Sequence, residues 1–296
     1  MMRKLSCLLF VLFLATPALA RECPPAGQTR ESLQALKILK FTLPDADARN
    51  ALAEGLLACL ADPDPTLRDG IAYEALTQWM RGGVLAADEL RKLCDTLYVM
   101  LDGDDADGFR RPFAALVLSE LARTDRTGPW MTPEERAAMV DKAGAFLRSV
   151  DDYRGFDEKQ GWRHGVAHGA DWLAQLSLNP ALERGQLDAI LAAVAVQAVP
   201  ESGHAYVFGE AGRLARPVLN IAQRGVYSDA EWQAWFATLP PRLGDAANRY
   251  TDSAWLGRRH DLMAFFMSLY LEADQSEDAK VKALKPAIVA ALKQVP

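Results

Sequence analysis

The stretch GWRHGVAHGADWL, residues 161 to 173, holds His164, His168 and Asp171 in a chain with four histidines in all. On an α-helix, at about 100° per residue, these three side chains and Gln175 fall within roughly 60° of one another. Trp162, Val166, Ala170, Leu173 and Leu176 then take the opposite side, so the histidines lie off the apolar face. Two histidines at i and i+4 can converge on one metal ion, as in helical zinc sites. Asp171 lies about 10 Å along the axis from His164, too far for a short carboxylate to close on the same ion. It suits instead a hydrogen bond that orients His168 through its other ring nitrogen. Further ligands must come from elsewhere, and His204 and Glu210 in ESGHAYVFGEAGRLARPV are the nearest.

A purely structural reading competes with this chemistry. A polar stripe can hydrogen-bond neighbouring loops, and Gly165 and Gly169, costly inside a helix, can mark close helix contact. Glu210 and Arg213, at i and i+3, can be a surface pair as readily as a site. His260 precedes the apolar run DLMAFFMSLYLE and reads as a helix-start residue.

The elements that must carry these residues are helices. Segments between turn signals have apolar residues at helical spacing, are rich in Ala, Leu, Arg and Glu, and contain few β-branched runs. Helices are expected over residues 31 to 41, 46 to 61, 65 to 81, 87 to 101, 108 to 124, 132 to 149, 159 to 177, 186 to 198, 210 to 224, 228 to 238, 245 to 273 with a break allowed, and 278 to 293. Thr132-Pro133-Glu134-Glu135 marks a start by its cap hydroxyl, first-turn proline and carboxylates. Stops fall at Gly82-Gly83, at Asp102 to Asp105, at Asn179-Pro180 and at Gly225.

Three of these segments repeat one another. LRDGIAYEAL, FRRPFAALVL and WRHGVAHGAD each place an arginine, at Arg68, Arg110 and Arg163, ahead of an apolar residue and alanine, and each follows an acidic turn. Their spacing is that of a helix pair with its loops, which predicts a HEAT-like α-solenoid or an irregular array of antiparallel helix pairs. In a solenoid the helix bearing the His-His-Asp stripe lines the concave groove.

The first twenty residues carry Arg3 and Lys4, an apolar run and a small-x-small ending at Ala18 to Ala20, the pattern of a cleaved export signal. The expectation is therefore a signal peptide over 1 to 20, one all-helical domain over 21 to 296, a periplasmic or secreted location and no later membrane span. Removing the signal leaves 31 Lys and Arg against 39 Asp and Glu, a net charge of −8 that argues against a nucleic-acid partner. Cys23, Cys59 and Cys94 can form one disulfide with one thiol over, in any of three pairings, or Cys59 and Cys94 can be small buried residues. Phosphate-loop, Cys-x-x-Cys, nucleophile-elbow and His-Glu-x-x-His motifs are missing.

DDYRGFDEKQGWRHGVAHGADWL, followed by FGEAGRLA and DLMAFFMSLYLE, resembles a bacterial family of domains of unknown function catalogued as 2785. The resemblance runs over about residues 45 to 275 through Arg154-Gly155, Gly161-Trp162-Arg163-His164, Ala167-His168-Gly169-Ala170-Asp171, Gly209-Glu210-Ala211-Gly212-Arg213-Leu214 and Ser268-Leu269-Tyr270. It implies an all-helical domain and supplies no activity. The chain departs from the family pattern at Ala211 and Gly212, where acidic residues are expected, and at His260, where an Asn is expected.

Three functions compete. A groove formed by Trp162, His164, His168, Asp171, Glu210 and Arg213 would bind a small polar ligand or peptide. A divalent metal held by His164, His168 and His204, with Asp171 orienting His168 and Glu210 as a ligand or base, would support hydrolysis. A scaffold would use the same face for a protein partner.

Overall fold

The computed structural model describes residues 22–296. The expected signal peptide, residues 1 to 20, lies outside the described residues. Among the described residues the chain is all-α apart from one two-stranded hairpin. Its helices are α1 (Arg30–Ile38), α2 (Ala46–Leu56), α3 (Pro65–Leu67), α4 (Glu74–Arg81), α5 (Ala87–Leu101), α6 (Arg110–Thr127), α7 (Pro133–Ser149), α8 (Gly165–Ser177), α9 (Arg184–Gln197), α10 (Glu210–Arg224), α11 (Asp229–Ala237), α12 (Ser253–Gln275), α13 (Ala279–Lys282) and α14 (Lys285–Leu292). The hairpin strands are β1 (Phe156–Asp157) and β2 (Gly161–Trp162). No helix among the described residues is long and apolar enough to cross a membrane.

Local chemistry sets the boundaries. Thr132 and Ser228 cap α7 and α11 with reciprocal capping boxes, the hydroxyl accepting from the third backbone N–H while Glu135 or Glu231 returns a bond to the cap. Gly225, at φ 66°, ends α10 in the left-handed conformation that glycine adopts without steric cost. The helical run from Pro65 to Arg81 passes through π-helical Arg68–Tyr73 before regaining α geometry at Glu74. The break allowed within 245 to 273 falls before α12, where Ala246–Tyr250 forms a 3₁₀ turn.

The helices pack in two rows. α6 packs on α8, α8 on α10 and α10 on α12, while α7 packs on α9 behind them. One hydrophobic cluster runs through both rows, from Leu33 to Ala291. The recurring arginines share one task. Arg68 donates to the carbonyl of Asp62, Arg110 to those of Asp102 and Asp104, and Arg163 to that of Asp107, so each guanidinium ties down an acidic turn. Arg68 and Arg163 also stack on Phe109, at 4.1 and 4.2 Å.

Cys23 and Cys59 form a disulfide and Cys94 is free and buried, which selects one of the three open pairings. Gly165 and Gly169 serve close helix contact. A methyl group on Gly169 would sit 3.1 Å from the side chains of Leu147 and Phe146, and one on Gly165 3.2 Å from Val150.

Candidate functional site

The helix that carries the polar stripe starts later than the sequence predicts, at Gly165 instead of residue 159. The Asp157 carboxylate accepts the backbone N–H groups of Lys159 and Gln160, turning the chain so that Gly161, at φ 75°, pairs back onto Asp157. Arg163 and His164 extend this pairing by donating to the carbonyls of Gly155 and Arg154. His164 then adopts φ 57° and caps α8. It is therefore not on the helical stripe, and the angular argument that grouped it with His168 and Asp171 fails for this residue.

His164 is buried beside Trp162, ring stacked on ring with centroids 4.7 Å apart. Its Nε2 lies 3.6 Å from Glu210 Oε1 and has no hydrogen-bond partner among the described residues. Burial, reinforced by the charge of Arg213, pushes its pKa down to about 4 against the pull of a hydrogen bond with the Phe208 backbone. His168 is buried on α8, with Nδ1 3.1 Å from the Pro112 carbonyl and its ring against the edge of Phe113. A carbonyl only accepts, so Nδ1 carries a proton. Burial first, then the neighbouring His164, push its pKa down to about 3.

The orienting bond expected from Asp171 to His168 is absent, because two stronger partners claim the carboxylate. Asp171 pairs with Arg213 and, at 3.4 Å, with Arg216, both on α10. Burial nevertheless holds its carboxyl above the usual range against the pull of both guanidiniums. The expected His164, His168 and His204 metal set is not assembled either. His204 is exposed and stacks on Tyr153, 5.1 Å between centroids. Among the described residues no group of three or more His, Cys, Asp or Glu side chains is placed to hold a metal ion.

Glu210 is the first residue of α10 and is buried, its Oε2 accepting the backbone N–H of Phe208. Near it lies a residue that sequence reasoning missed. Asp261, on α12, is 1 % exposed and accepts the Tyr206 N–H at 2.7 Å, while its Oδ2 has no hydrogen-bond partner among the described residues. Burial pushes its pKa up to about 7, the Tyr206 N–H pulls it down and the Glu210 charge pushes it up again. The signal was one acid inside HDLMAFF, a run that otherwise reads as apolar helix.

The segment is thus divided. His164, at the cap of α8, and His168, on the helix, are packed inward, whereas Asp171 and Gln175 line a cleft of about 350 Å³. Tyr73 borders it from the π-helical segment, Arg81 from α4, Glu120 from α6, and Arg216 and Asn220 from α10. Arg81 holds Glu120 through two bonds of 2.8 and 2.5 Å, Arg126 donates to Gln175 at 3.2 Å, and Asn220 donates to the Ala174 carbonyl at 3.1 Å. Trp162 lies elsewhere, half-exposed between Phe156 and Phe208 with ring centroids at 5.0 and 5.7 Å.

The profile of a family described as "Protein of unknown function (DUF2785)" matches residues 97–271. The chain belongs to this family. No curated protein and no solved structure matches it.

Proposed function

We propose that this DUF2785 member is an exported binding protein whose cleft across the facing helices takes a small polar ligand or peptide. One observation carries the reading: Asp171 and Gln175 of α8 meet side chains from three other helices around a single cleft. A volume of about 350 Å³ lies within the range of small-molecule sites. The HEAT-like solenoid is part of the same proposal, supported by the stacking of α6, α8, α10 and α12 and by the shared work of Arg68, Arg110 and Arg163. Export is supported by the residues at 1 to 20 and by the Cys23–Cys59 disulfide.

The cleft is lined by polar groups that are partly engaged with one another, so a ligand would compete for existing bonds and gain affinity from several at once. The groove's expected residues are accordingly revised to Asp171, Gln175, Arg81, Glu120, Arg216 and Asn220, with Arg213 holding Asp171 from behind. Screening the mature chain against polar small molecules and short peptides by thermal shift tests this. Hits that raise Tm in wild type and not in a Gln175→Ala/Asn220→Ala variant support the cleft, and hits unaffected by that variant place binding elsewhere.

The scaffold reading is favoured by a different observation. Phe156, Trp162, Phe208 and Val207 are 48, 36, 39 and 69 % exposed and cluster where the hairpin meets the loop before α10. A protein partner would cover that patch and leave the cleft open. The metal-hydrolase reading lacks support, since its three histidines do not converge.

A further inference from the structure

A second cavity, of about 730 Å³, opens between the segment before α1, α2 and α5 and shares no lining residue with the cleft. Its walls are unbalanced in charge. Glu22, Asp47, Glu54 and Glu89 line it against one cation, Lys92, which is exposed and meets Glu89 Oε2 at 3.4 Å. Pro25, Ala26 and Ala51 add apolar surface. The wall before α1 is held in place twice over. Cys23, between Glu22 and Pro25, is bonded to Cys59, and Pro25 packs so closely on α2 that a methyl group on Gly55 would lie 2.8 Å from its Cβ. The cavity is thus organised in advance of any ligand.

Glu89 is the residue that surface chemistry leaves unexplained. It is 3 % exposed, and its Oε1 is buried with no hydrogen-bond partner among the described residues. It stands in the first turn of α5, where the positive helix end favours an acid, but that end favours an exposed carboxylate equally and does not account for the burial. Asn50 of α2, on the same cavity, has its Oδ1 in the same condition. Buried acceptors normally find a donor. Two that go without, beside a cavity walled by four carboxylates, are accounted for by a donor that enters from outside. Carboxylates spread around a cavity of this size suit positive charges that are spread as well, since among the described residues no three His, Cys, Asp or Glu side chains are placed to share one metal ion. We infer that this cavity is a second binding site, for a small organic cation with two or more ammonium groups, in which Glu89 and Asn50 accept from the ammonium groups and Asp47 and Glu22 add counter-charge. An ammonium group carries three donors and no acceptor, which matches these oxygens, and the apolar surface suits the methylenes between such groups.

Isothermal titration of the mature chain with spermidine, beside calcium chloride and citrate, tests this directly. Spermidine binding is expected to weaken about tenfold in Glu89→Gln, which keeps the shape and removes the charge, and to fall with added salt. It is expected to be unchanged in the cleft variant Gln175→Ala/Asn220→Ala and in Glu277→Gln, which removes an acid that is 99 % exposed on the loop before α13. Without spermidine, Glu89→Gln is expected to keep or raise its Tm, because it removes a buried and incompletely paired charge. A variant that loses Tm and keeps its affinity has a purely structural glutamate there and overturns the inference. Spermidine that fails to bind, or that is weakened as much by Glu277→Gln as by Glu89→Gln, overturns it as well, the latter by showing diffuse attraction to an acidic chain. Calcium or citrate bound as tightly as spermidine, and lost in Glu89→Gln, would overturn the class of ligand.

Discussion

His168 donates its Nδ1 proton to the carbonyl of Pro112, 3.1 Å away on the neighbouring helix, and so bolts α8 to α6. Replacing it with alanine removes a buried ring from Phe113 and the side-chain bond to the Pro112 carbonyl. The expected cost is about 2 to 4 kcal/mol of unfolding free energy. Urea unfolding of His168→Ala measures it, and wild-type stability should be the same in chelator as in zinc.

The pH dependence of stability follows from three buried groups. His164 and His168 titrate at about 4 and about 3 in the native state, against an ordinary 6.5. Below pH 6.5 the unfolded chain takes up protons that the native chain refuses, so stability falls as pH drops from 6.5 toward 4. Asp261 acts in the opposite sense. Its carboxyl is raised from 3.8 to about 7, so its contribution is present at low pH and is lost as pH rises toward 7. Between pH 5 and 6.5 two imidazoles oppose one carboxyl, and Asp261→Asn should make the rise in stability with pH about twofold steeper. Unfolding free energies across that interval, in wild type and variant, decide the point.

The loop before α10 is locked by backbone contact. A methyl group on Gly257 of α12 would fall 1.9 Å from the carbonyl oxygen of Gly203, an atom that cannot rotate away. Gly257→Ala is expected to cost about 1 to 3 kcal/mol, and to speed amide exchange at Tyr206, whose N–H is held by Asp261.

The disulfide spans 36 residues and ties the first described segment to the 3₁₀ turn, Leu57–Ala61, that follows α2. Cys23→Ser/Cys59→Ser should lose about 3 to 4 kcal/mol by chain entropy. Cys94 is buried, and its thiol is pushed up to about 12, so iodoacetamide should leave it unlabelled until the chain unfolds.

Much of the fold was legible because its signals are local. Caps at Thr132 and Ser228, the stop at Gly225 and the periodic apolar positions depend on residues within one or two turns. The site was less legible where long-range partners decide. Helical periodicity alone runs the stripe straight through His164, but Asp157 and Gly161 close a hairpin first and hand His164 the cap position. The partners of Asp171 sit more than forty residues away on α10, and no spacing rule links them to it. Asp261 went unnoticed for the same reason, since its partner Tyr206 is brought beside it only by the packing of the loop on α12.

The central claim is the division of labour between the capping and helical residues here, with the histidines packed inward and Asp171 and Gln175 facing the cleft. The most direct test measures unfolding free energy and the binding of the best screening hit, side by side, in His168→Ala and in Gln175→Ala/Asn220→Ala. The account predicts a histidine variant that is less stable yet, while folded, binds the hit as wild type does, and a cleft variant that stays close to wild-type stability and loses binding. A histidine variant of wild-type stability that no longer binds, beside a cleft variant that still does, would contradict it.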